Sequence, residues 1–233
     1  MSKKRLSSIG LIMPDDFPSD LYDDVNHRIS KNRDDYLSSW YQFAGGWNAI
    51  AYRFLSCTDS NDDFILSISK HGNSPAQPER YNQEKMLFNF FVTGLSALDS
   101  LSYALYFACS ILDKINFPVS SKKDLKSITI ESTQIKLEQS ALHNKESIAE
   151  TLKDLINGAE YKDWKEKRNI IAHRSAPGRN IFEGGNEHGK VKWMNGLEID
   201  KITTAQKYEW LLANVKKLIE EVSSFVNHNF KQN

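Results

Sequence analysis

The chain has 233 residues, of which 40% are hydrophobic and 26% are charged, as in an ordinary globular protein. Its 30 basic and 30 acidic residues cancel, which argues against a protein that binds polyanions through bulk charge. Any contact with nucleic acid must then come from a local basic cluster.

The N-terminal part of the chain divides at about residue 33. Residues 1–33 hold polar and acidic turns and two prolines, which predict an irregular segment. From Asp34, apolar residues three or four positions apart predict a helix. These residues are Leu37, Trp40, Phe43, Trp47, Ile50 and Phe54. Gly45 and Gly46 inside this stretch predict a kink or a close contact with another helix.

Two segments interrupt the helical pattern before the middle of the chain. The segment "SCTDSNDD" breaks the apolar spacing, and "HGNSPAQPER", with its two prolines, predicts a loop. A long apolar helix is then predicted from about Gln83 to Lys114. It is long enough to cross a bilayer, but Asp99 near its centre would cost about 2.5–3.5 kcal/mol in a lone span. We therefore predict the central helix of a bundle, with no membrane contact.

The N-terminus and the cysteines both predict a cytoplasmic protein. The first residues are basic, but no apolar run of signal-peptide length follows them. Cys57 and Cys109 lie in apolar stretches without a Cys or His at metal-binding spacing, which predicts two buried, reduced thiols.

The second half of the chain predicts further helices. Residues 124–144 are ambiguous, because "SITIEST" alternates like a strand while "QIKLEQSAL" has helical spacing. Ser147 and Glu150 have the spacing of a capping box, which predicts a helix through Ile156 with its end at Gly158. Another helix follows from about Glu160 to Arg174.

The C-terminal part is predicted to be an insertion followed by one helix. Residues 175–200 are rich in Gly and Asn and predict a loop, with a short hairpin at "GKVKWMNGLEI". Thr203 and Gln206 have the spacing of a second capping box, where the last helix would begin. The inner side of that helix is predicted to hold Trp210, Val215, Leu218, Val222 and Phe225.

These elements predict an all-α protein. An irregular segment, 1–33, precedes a single domain over residues 34–233. That domain is a bundle of five or six helices with a Gly/Asn-rich insertion near 175–200.

Common catalytic and cofactor motifs are absent from the sequence. It contains no GxxxxGK[ST], GxGxxG, HExxH or CxxC, so no metal and no cofactor is predicted. Four histidines lie in polar surroundings and are predicted to be at the surface: His27, His71, His143 and His228. His188, in the Gly-rich loop, could approach a substrate.

The sixth histidine, His173, lies in a basic cluster. Six basic and two acidic residues fall between Lys162 and Arg179, a local net charge of plus four. In a helix, Asn169 and His173 lie on one face, about 40° apart, whereas Arg168 is about 140° from His173.

One helix therefore cannot aim Arg168 and His173 at the same point unless the arginine uses its full reach. The alternatives are a helix end near His173, which Pro177 favours, or a second copy of the helix in a homodimer. A structural explanation also exists, in which basic residues meet the negative end of the helix dipole and His173 caps the helix. Ile170 and Ile171 would then face the core.

The segment "RNIIAH" fits the pattern R-[polar]-x(3)-H and resembles the motif of the HEPN family (higher eukaryotes and prokaryotes nucleotide-binding domains). The resemblance covers about residues 34–228, with 175–200 as an insertion. It implies a small helical bundle whose motif lies in a late helix, packed on a long apolar helix such as 83–114. Within "LFNFFVTGLSALDSL" it points to Asp99 as the acidic residue that often lies near the site.

Many HEPN proteins are metal-independent endoribonucleases that act as homodimers with two motifs in one site. The resemblance therefore implies that Arg168 and His173 are catalytic, and that Asn169 orients the histidine or binds phosphate. The RNA 2′-OH would attack the adjacent phosphate and leave a 2′,3′-cyclic end, in a toxin, stress or anti-phage role. The implied partners are RNA, a second copy of the chain, and an antitoxin or regulatory protein.

Further residues are expected to contact the substrate. Lys167, Arg174 and Arg179 belong to the basic cluster, and Asp99 is the acidic candidate. Asp99 has an equally weighted structural alternative, an ion pair with Arg168 or with Arg53.

The sequence departs from one branch of the family. Toxins paired with nucleotidyltransferase antitoxins have a Tyr two residues after the His, where this chain has Ser175. Regulation through that tyrosine is therefore not expected. Some HEPN domains have lost catalysis, so the alternative function is a dimerisation module or one that binds a nucleotide or a partner.

Overall fold

The structure, a computed structural model, describes residues 4–31, 37–143, 146–174, 178–181, 191–193 and 199–230. Within those ranges the chain is mostly helical, which confirms the all-α prediction, and it forms eight helices rather than five or six. They are α1 (Ser19–Ser30), α2 (Leu37–His71), α3 (Glu79–Leu112), α4 (Lys122–Lys126), α5 (Ile130–Gln139), α6 (Ser147–Asn157), α7 (Ala159–His173) and α8 (Lys201–Asn229).

Two small antiparallel strand pairs complete the described secondary structure. Strand β1 (Lys4–Arg5) pairs with β2 (Ile12–Met13). Strand β3 (Arg179–Ile181) pairs with β4 (Val191–Trp193). The sequence predicts a hairpin within "GKVKWMNGLEI"; of the described residues in that segment, 191–193 form β4, and the partner strand β3 ends ten residues before β4 begins. The rest of the predicted 175–200 loop lies mostly outside the described residues.

The prediction of an irregular N-terminal segment is wrong over its described part. The pair β1–β2 and the 12-residue helix α1 occupy it. Helix α1 buries Tyr22, Val25 and Ile29, spaced three and four residues apart on one face. Burial of this apolar stripe stabilises the helix despite the acidic residues around it.

Helix α2 is longer than predicted. The segment "SCTDSNDD" does not end it, and the helix runs on to His71. Its buried positions continue at helical spacing through Cys57, Asn61, Phe64 and Ile68. The polar residues of the segment lie mostly between those positions, so the helix keeps a buried face.

The described chain divides into two compact units, whereas the sequence predicted one domain from residue 34. The first comprises Met1–Tyr52, Ser96–Gly158 and Leu212–Asn233, and the second comprises Arg53–Leu95 and Ala159–Leu211.

The first unit has an aromatic core. Tyr22 and Trp47 stack with ring centroids 5.0 Å apart, and each donates a hydrogen bond to the backbone carbonyl of the other. Gly46 makes the close helix contact that the sequence predicted. A Cβ there would lie 3.0 Å from Tyr103 Cδ1 and 3.2 Å from the backbone nitrogen of Ala104.

The second unit is built around Trp164 of α7. This side chain is fully buried, and its indole nitrogen donates to the backbone carbonyl of Phe91, 3.1 Å away. Gly94 of α3 faces it so closely that a Cβ there would lie 2.5 Å from Trp164 Cζ2. The glycine thus permits α7 to pack on α3.

Helix α3 is the element with membrane-like composition. Among the described residues it alone is long and apolar enough to cross a bilayer, and 78% of its most apolar window is buried within the structure. A core helix of a water-soluble protein is buried in this way. Cys57 and Cys109 are both buried free thiols, as predicted, and burial raises the pKa of each well above its usual value.

Both predicted capping boxes are wrong, although the helices exist. Ser147 is the first residue of α6 rather than its N-cap, and its hydroxyl donates to Glu221 of α8. At the start of α8, Asp200 Oδ1 accepts hydrogen bonds from the backbone N–H groups of Ile202 and Thr203. Asp200 is therefore the N-cap residue of α8. Gly158 is the C-cap of α6, as predicted.

Candidate active site on helix α7

Helix α7 presents the motif with a defined orientation. Tyr161, Trp164 and Ile171 are buried and fix the face that packs inward. His173 is nine residues from Trp164, which is half a turn around the helix. His173 is accordingly exposed, at the last helical residue.

Arg168 lies on the flank of the buried face. It is one turn beyond Trp164 and about 40° from it. Its side chain is half-buried, and its Nε has no hydrogen-bond partner within the described ranges. A buried guanidinium N–H is costly to leave unpaired. Within one α7, Arg168 and His173 thus point in directions about 140° apart.

The remaining motif residues lie around the exposed end of the helix. Asn169 is half-buried and is one turn before His173. Arg174 directly follows the helix and is exposed, and its backbone N–H donates to the carbonyl of Ile170 at 2.9 Å. Asn169, His173 and Arg174 can therefore present an amide, an imidazole and a guanidinium to one solvent-facing ligand.

Lys167 belongs to a network of ion pairs that the sequence did not predict. Its ammonium pairs with Asp163, and the buried ammonium of Lys207 pairs with both Asp163 and Glu160. Burial raises the pKa of Asp163, but hydrogen bonds from Lys167 and Lys207 outweigh it and leave that pKa below its usual value. The network neutralises Lys167, so Lys167 adds less to the basic cluster than predicted.

The signal for this network was present in the sequence. Lys207 occupies a position between Thr204 and Leu211 on the apolar stripe of α8, and a lysine at such a position needs an acidic partner. Glu160 and Asp163 are spaced three residues apart on α7, as such a partner pair would be.

The predicted contact of Arg179 with substrate does not fit its position. Arg179 is only 4% exposed. Its guanidinium donates to the carbonyl of Asn73 at 2.7 Å and to Gln83 Oε1 at 2.6 Å, and it lies 4.5 Å from the ring centroid of Trp193. These bonds hold β3 to the start of α3, which is a structural role.

The structure does not test the predicted roles of Asp99 and Ser175. Asp99 is half-buried on α3 and belongs to the other compact unit, so its suggested pairing with Arg168 or Arg53 stays a prediction. Ser175, Pro177 and His188 lie outside the described residues.

His143 is not the surface residue that the sequence predicted. It is 1% exposed and lies edge-on to Phe117 and Phe225, with ring centroids 5.9 and 5.2 Å away. Neither ring nitrogen has a hydrogen-bond partner in the described part of the chain. Burial lowers the pKa of this imidazole, although the charges of Asp113 and Glu146 act in the opposite direction.

Comparison of the chain with protein-family models, with curated proteins and with solved structures gives no match.

Proposed function

We propose that this protein is a HEPN-type, metal-independent endoribonuclease of the cytoplasm that acts as a homodimer. The observation that carries the proposal is the end of α7: an exposed His173 with Asn169 one turn before it, and an Arg168 whose buried Nε lacks a partner among the described residues. Histidine exchanges protons near neutral pH, and a guanidinium binds phosphate oxygens through two parallel hydrogen bonds.

The chemistry needs no group beyond these side chains and RNA. One histidine accepts the proton of the RNA 2′-OH, whose oxygen attacks the adjacent phosphorus. The bond from phosphorus to the 5′-oxygen breaks, and that oxygen takes up the proton that the histidine has just accepted and leaves as a 5′-OH. A 2′,3′-cyclic phosphate remains on the other fragment. Arg168 stabilises the negative charge that develops on the phosphate oxygens, and the need for a 2′-OH restricts the reaction to RNA.

The histidine and the arginine of one site come from two copies of α7 in this proposal. Within one chain, Arg168 and His173 diverge by about 140°, so a single α7 does not direct both at one phosphate. A two-fold axis near the end of α7 would bring the His173 of each copy toward the Arg168 of the other. The functional unit is then the homodimer.

The roles of the surrounding residues follow from their exposure. Arg174 is the exposed cation beside the motif and is proposed to hold the RNA backbone, with Asn169 orienting His173 or the phosphate. A toxin, stress or anti-phage role, held in check by an antitoxin or another regulatory protein, is the biological setting that the resemblance suggests.

The direct test is incubation of the purified protein with total RNA in the presence of EDTA. We expect fragments that end in 2′,3′-cyclic phosphates. The His173→Ala variant should lose cleavage by a factor of about 10²–10⁴. His71→Ala is the matched control, because His71 is also an exposed histidine at a helix end. Intact RNA with the parent protein, or equal cleavage by His173→Ala, would rule out this function.

A non-catalytic module that binds a nucleotide or a protein is the second candidate. It is favoured by the internal pairing of Lys167 and the burial of Arg179, which leave fewer free cations around the motif than the sequence implies. In that case RNA survives, and His173→Ala still binds the partner that the parent protein binds.

A further inference from the structure

A surface pocket lies between α7 and α8, away from the motif. Its volume is about 290 Å³, and it is lined by Glu160, Thr203, Gln206, Lys207 and Trp210. The four residues from α8 fall on one face of that helix, and Glu160 comes from the first turn of α7. Since Glu160 is thirteen residues before His173, the pocket lies about 20 Å from His173 along α7.

One wall of the pocket is aromatic and held in place. The ring of Trp210 is half-buried and lies 5.8 Å from that of the fully buried Trp164, at an interplanar angle of 32°. Because Trp164 is fixed by its bond to the backbone of Phe91, Trp210 rests on a rigid support. A supported indole beside a small pocket favours a flat, unsaturated ligand that can stack on it.

The charges around the pocket balance. Lys207 pairs with Glu160 and Asp163, and Asp163 also pairs with Lys167, which makes two acids and two bases. A phosphate would be repelled by the carboxylate of Glu160, and the ammonium of Lys207 is already paired with Glu160 and Asp163. An organic cation would gain little from that carboxylate, because Lys207 already neutralises it. The group that fits is therefore planar and uncharged.

The side chains of Thr203, Glu160 and Gln206 offer mainly acceptors to a ligand. The hydroxyl of Thr203 donates to Asp200 Oδ1 at 2.8 Å, so toward a ligand its oxygen can only accept. The carboxylate of Glu160 is also an acceptor, and the exposed amide of Gln206 offers one acceptor and two donors. A ligand with N–H donors on its edge satisfies this set best.

We infer that the pocket binds a nucleobase that carries an exocyclic amino group. The base stacks on Trp210, and its amino group donates to Glu160 or to the oxygen of Gln206. The volume suits one base rather than a dinucleotide. That the base belongs to the RNA substrate, several nucleotides from the bond that is cut, rests on the proposed function; a free nucleoside or nucleotide would present the same chemistry.

Calorimetric titration with single nucleosides tests the pocket itself. Adenosine has an amino group where inosine has a carbonyl, and the adjacent ring nitrogen is an acceptor in adenosine and an N–H donor in inosine; cytidine and uridine differ in the same way. We expect adenosine and cytidine to bind at least about tenfold more tightly than inosine and uridine. Equal binding within each pair, or no binding at millimolar nucleoside, overturns the inference.

Three variants locate the binding. Gln206→Ala and Trp210→Ala should each weaken adenosine binding about tenfold, while Trp210→Phe, which keeps an aromatic wall and guards against misfolding, should retain most of it. Glu209→Ala is the matched control, because Glu209 is an exposed neighbour on α8 that does not line the pocket. Equal binding by Gln206→Ala, Trp210→Ala and Glu209→Ala would place the ligand elsewhere and overturn the inference.

The source of the base is distinguished by mapping RNA cleavage sites. If Gln206→Ala shifts the sequence preference of cleavage, the base belongs to the RNA; if nucleosides bind but the preference is unchanged, the pocket takes a free nucleoside. Failure of the proposed function is recognised separately, because nucleoside binding without any RNA cleavage retains the pocket and removes the nuclease. RNA cleavage without nucleoside binding retains the nuclease and removes the pocket.

Discussion

His143 and His173 carry the same side chain in opposite settings. His143 lies between Phe117 and Phe225, 1% exposed, with neither ring nitrogen bonded among the described residues. His173 is exposed at the end of α7, beside a cluster of polar side chains. The first environment disfavours a charged imidazole, and the second leaves the imidazole within reach of a ligand. Position in the fold, rather than neighbours in the sequence, therefore separates the structural histidine from the candidate catalytic one.

The largest expected effect is the loss of RNA cleavage when His173 is replaced, compared with the replacement of His143. His173→Ala should reduce RNA cleavage by about 10²–10⁴-fold, with a free energy of unfolding within about 0.5 kcal/mol of the parent, because an exposed side chain is removed. His143→Phe should leave cleavage unchanged. Rate measurements on RNA, paired with thermal melts, check both. Loss of cleavage in a well-folded His143→Phe protein would break the distinction between the two histidines.

The second effect tests how α7 is held. Gly94→Ala should cost about 1–3 kcal/mol of stability, because its Cβ would meet Trp164 Cζ2 at 2.5 Å and Cys57 Sγ at 3.0 Å. Gly45→Ala is the matched control. A Cβ added at that helical glycine would meet nothing within 4 Å, so alanine should stabilise the protein by up to about 1 kcal/mol. Denaturant unfolding measures both, and equal stability of the two variants would contradict the packing of α7 on α3.

The smallest effect is a pH dependence that belongs to His143. Burial lowers the pKa of His143 below its ordinary value of 6.5 in the folded state, so the unfolded chain binds more protons there. Stability is therefore expected to fall as the pH decreases below about 6.5, until the pKa of the folded state is reached. The carboxyl of Asp113 has a lowered pKa, because hydrogen bonds from Asn116 and Ser140 outweigh its burial. Its contribution to stability is lost only at more acidic pH, below about 4.

His143→Phe should flatten this dependence, since it removes the group that takes up the proton. His143→Leu is a second variant, so that a poor fit of the larger ring is recognised. Thermal melts of the parent and both variants from about pH 7 to about pH 5 provide the comparison. A parent protein whose melting temperature does not fall over this range more than that of the variants would contradict the burial of a neutral imidazole.

The regular elements could be predicted because their information is local. The apolar run of α3 and the spacing of α7 placed those helices to within a few residues. The buried spacing of α2 continues through Cys57, Phe64 and Ile68, so its full length is also encoded locally, but the polar residues between these positions hide that spacing.

The failures share a physical cause, which is contact between residues far apart in the chain. Ser147 donates to Glu221, and Arg179 bonds to residues about one hundred positions earlier, so neither role is visible in its own segment. His143 is buried by Phe117 and Phe225 although its neighbours in sequence are polar. The candidate site was predicted from the motif and its family resemblance, whereas the Lys207 network and the pocket beside Trp210 depend on two helices packed together.

The central claim is that Arg168 from one copy and His173 from the other form one site. The direct measurement is co-expression of Arg168→Ala and His173→Ala chains with different tags, followed by purification of the mixed dimer and an RNA cleavage assay in EDTA. Each variant alone should be inactive, and the mixed dimer should regain cleavage, because it keeps one arginine and one histidine on opposite chains. A mixed dimer as inactive as its parents, or chains that do not associate, would contradict the account.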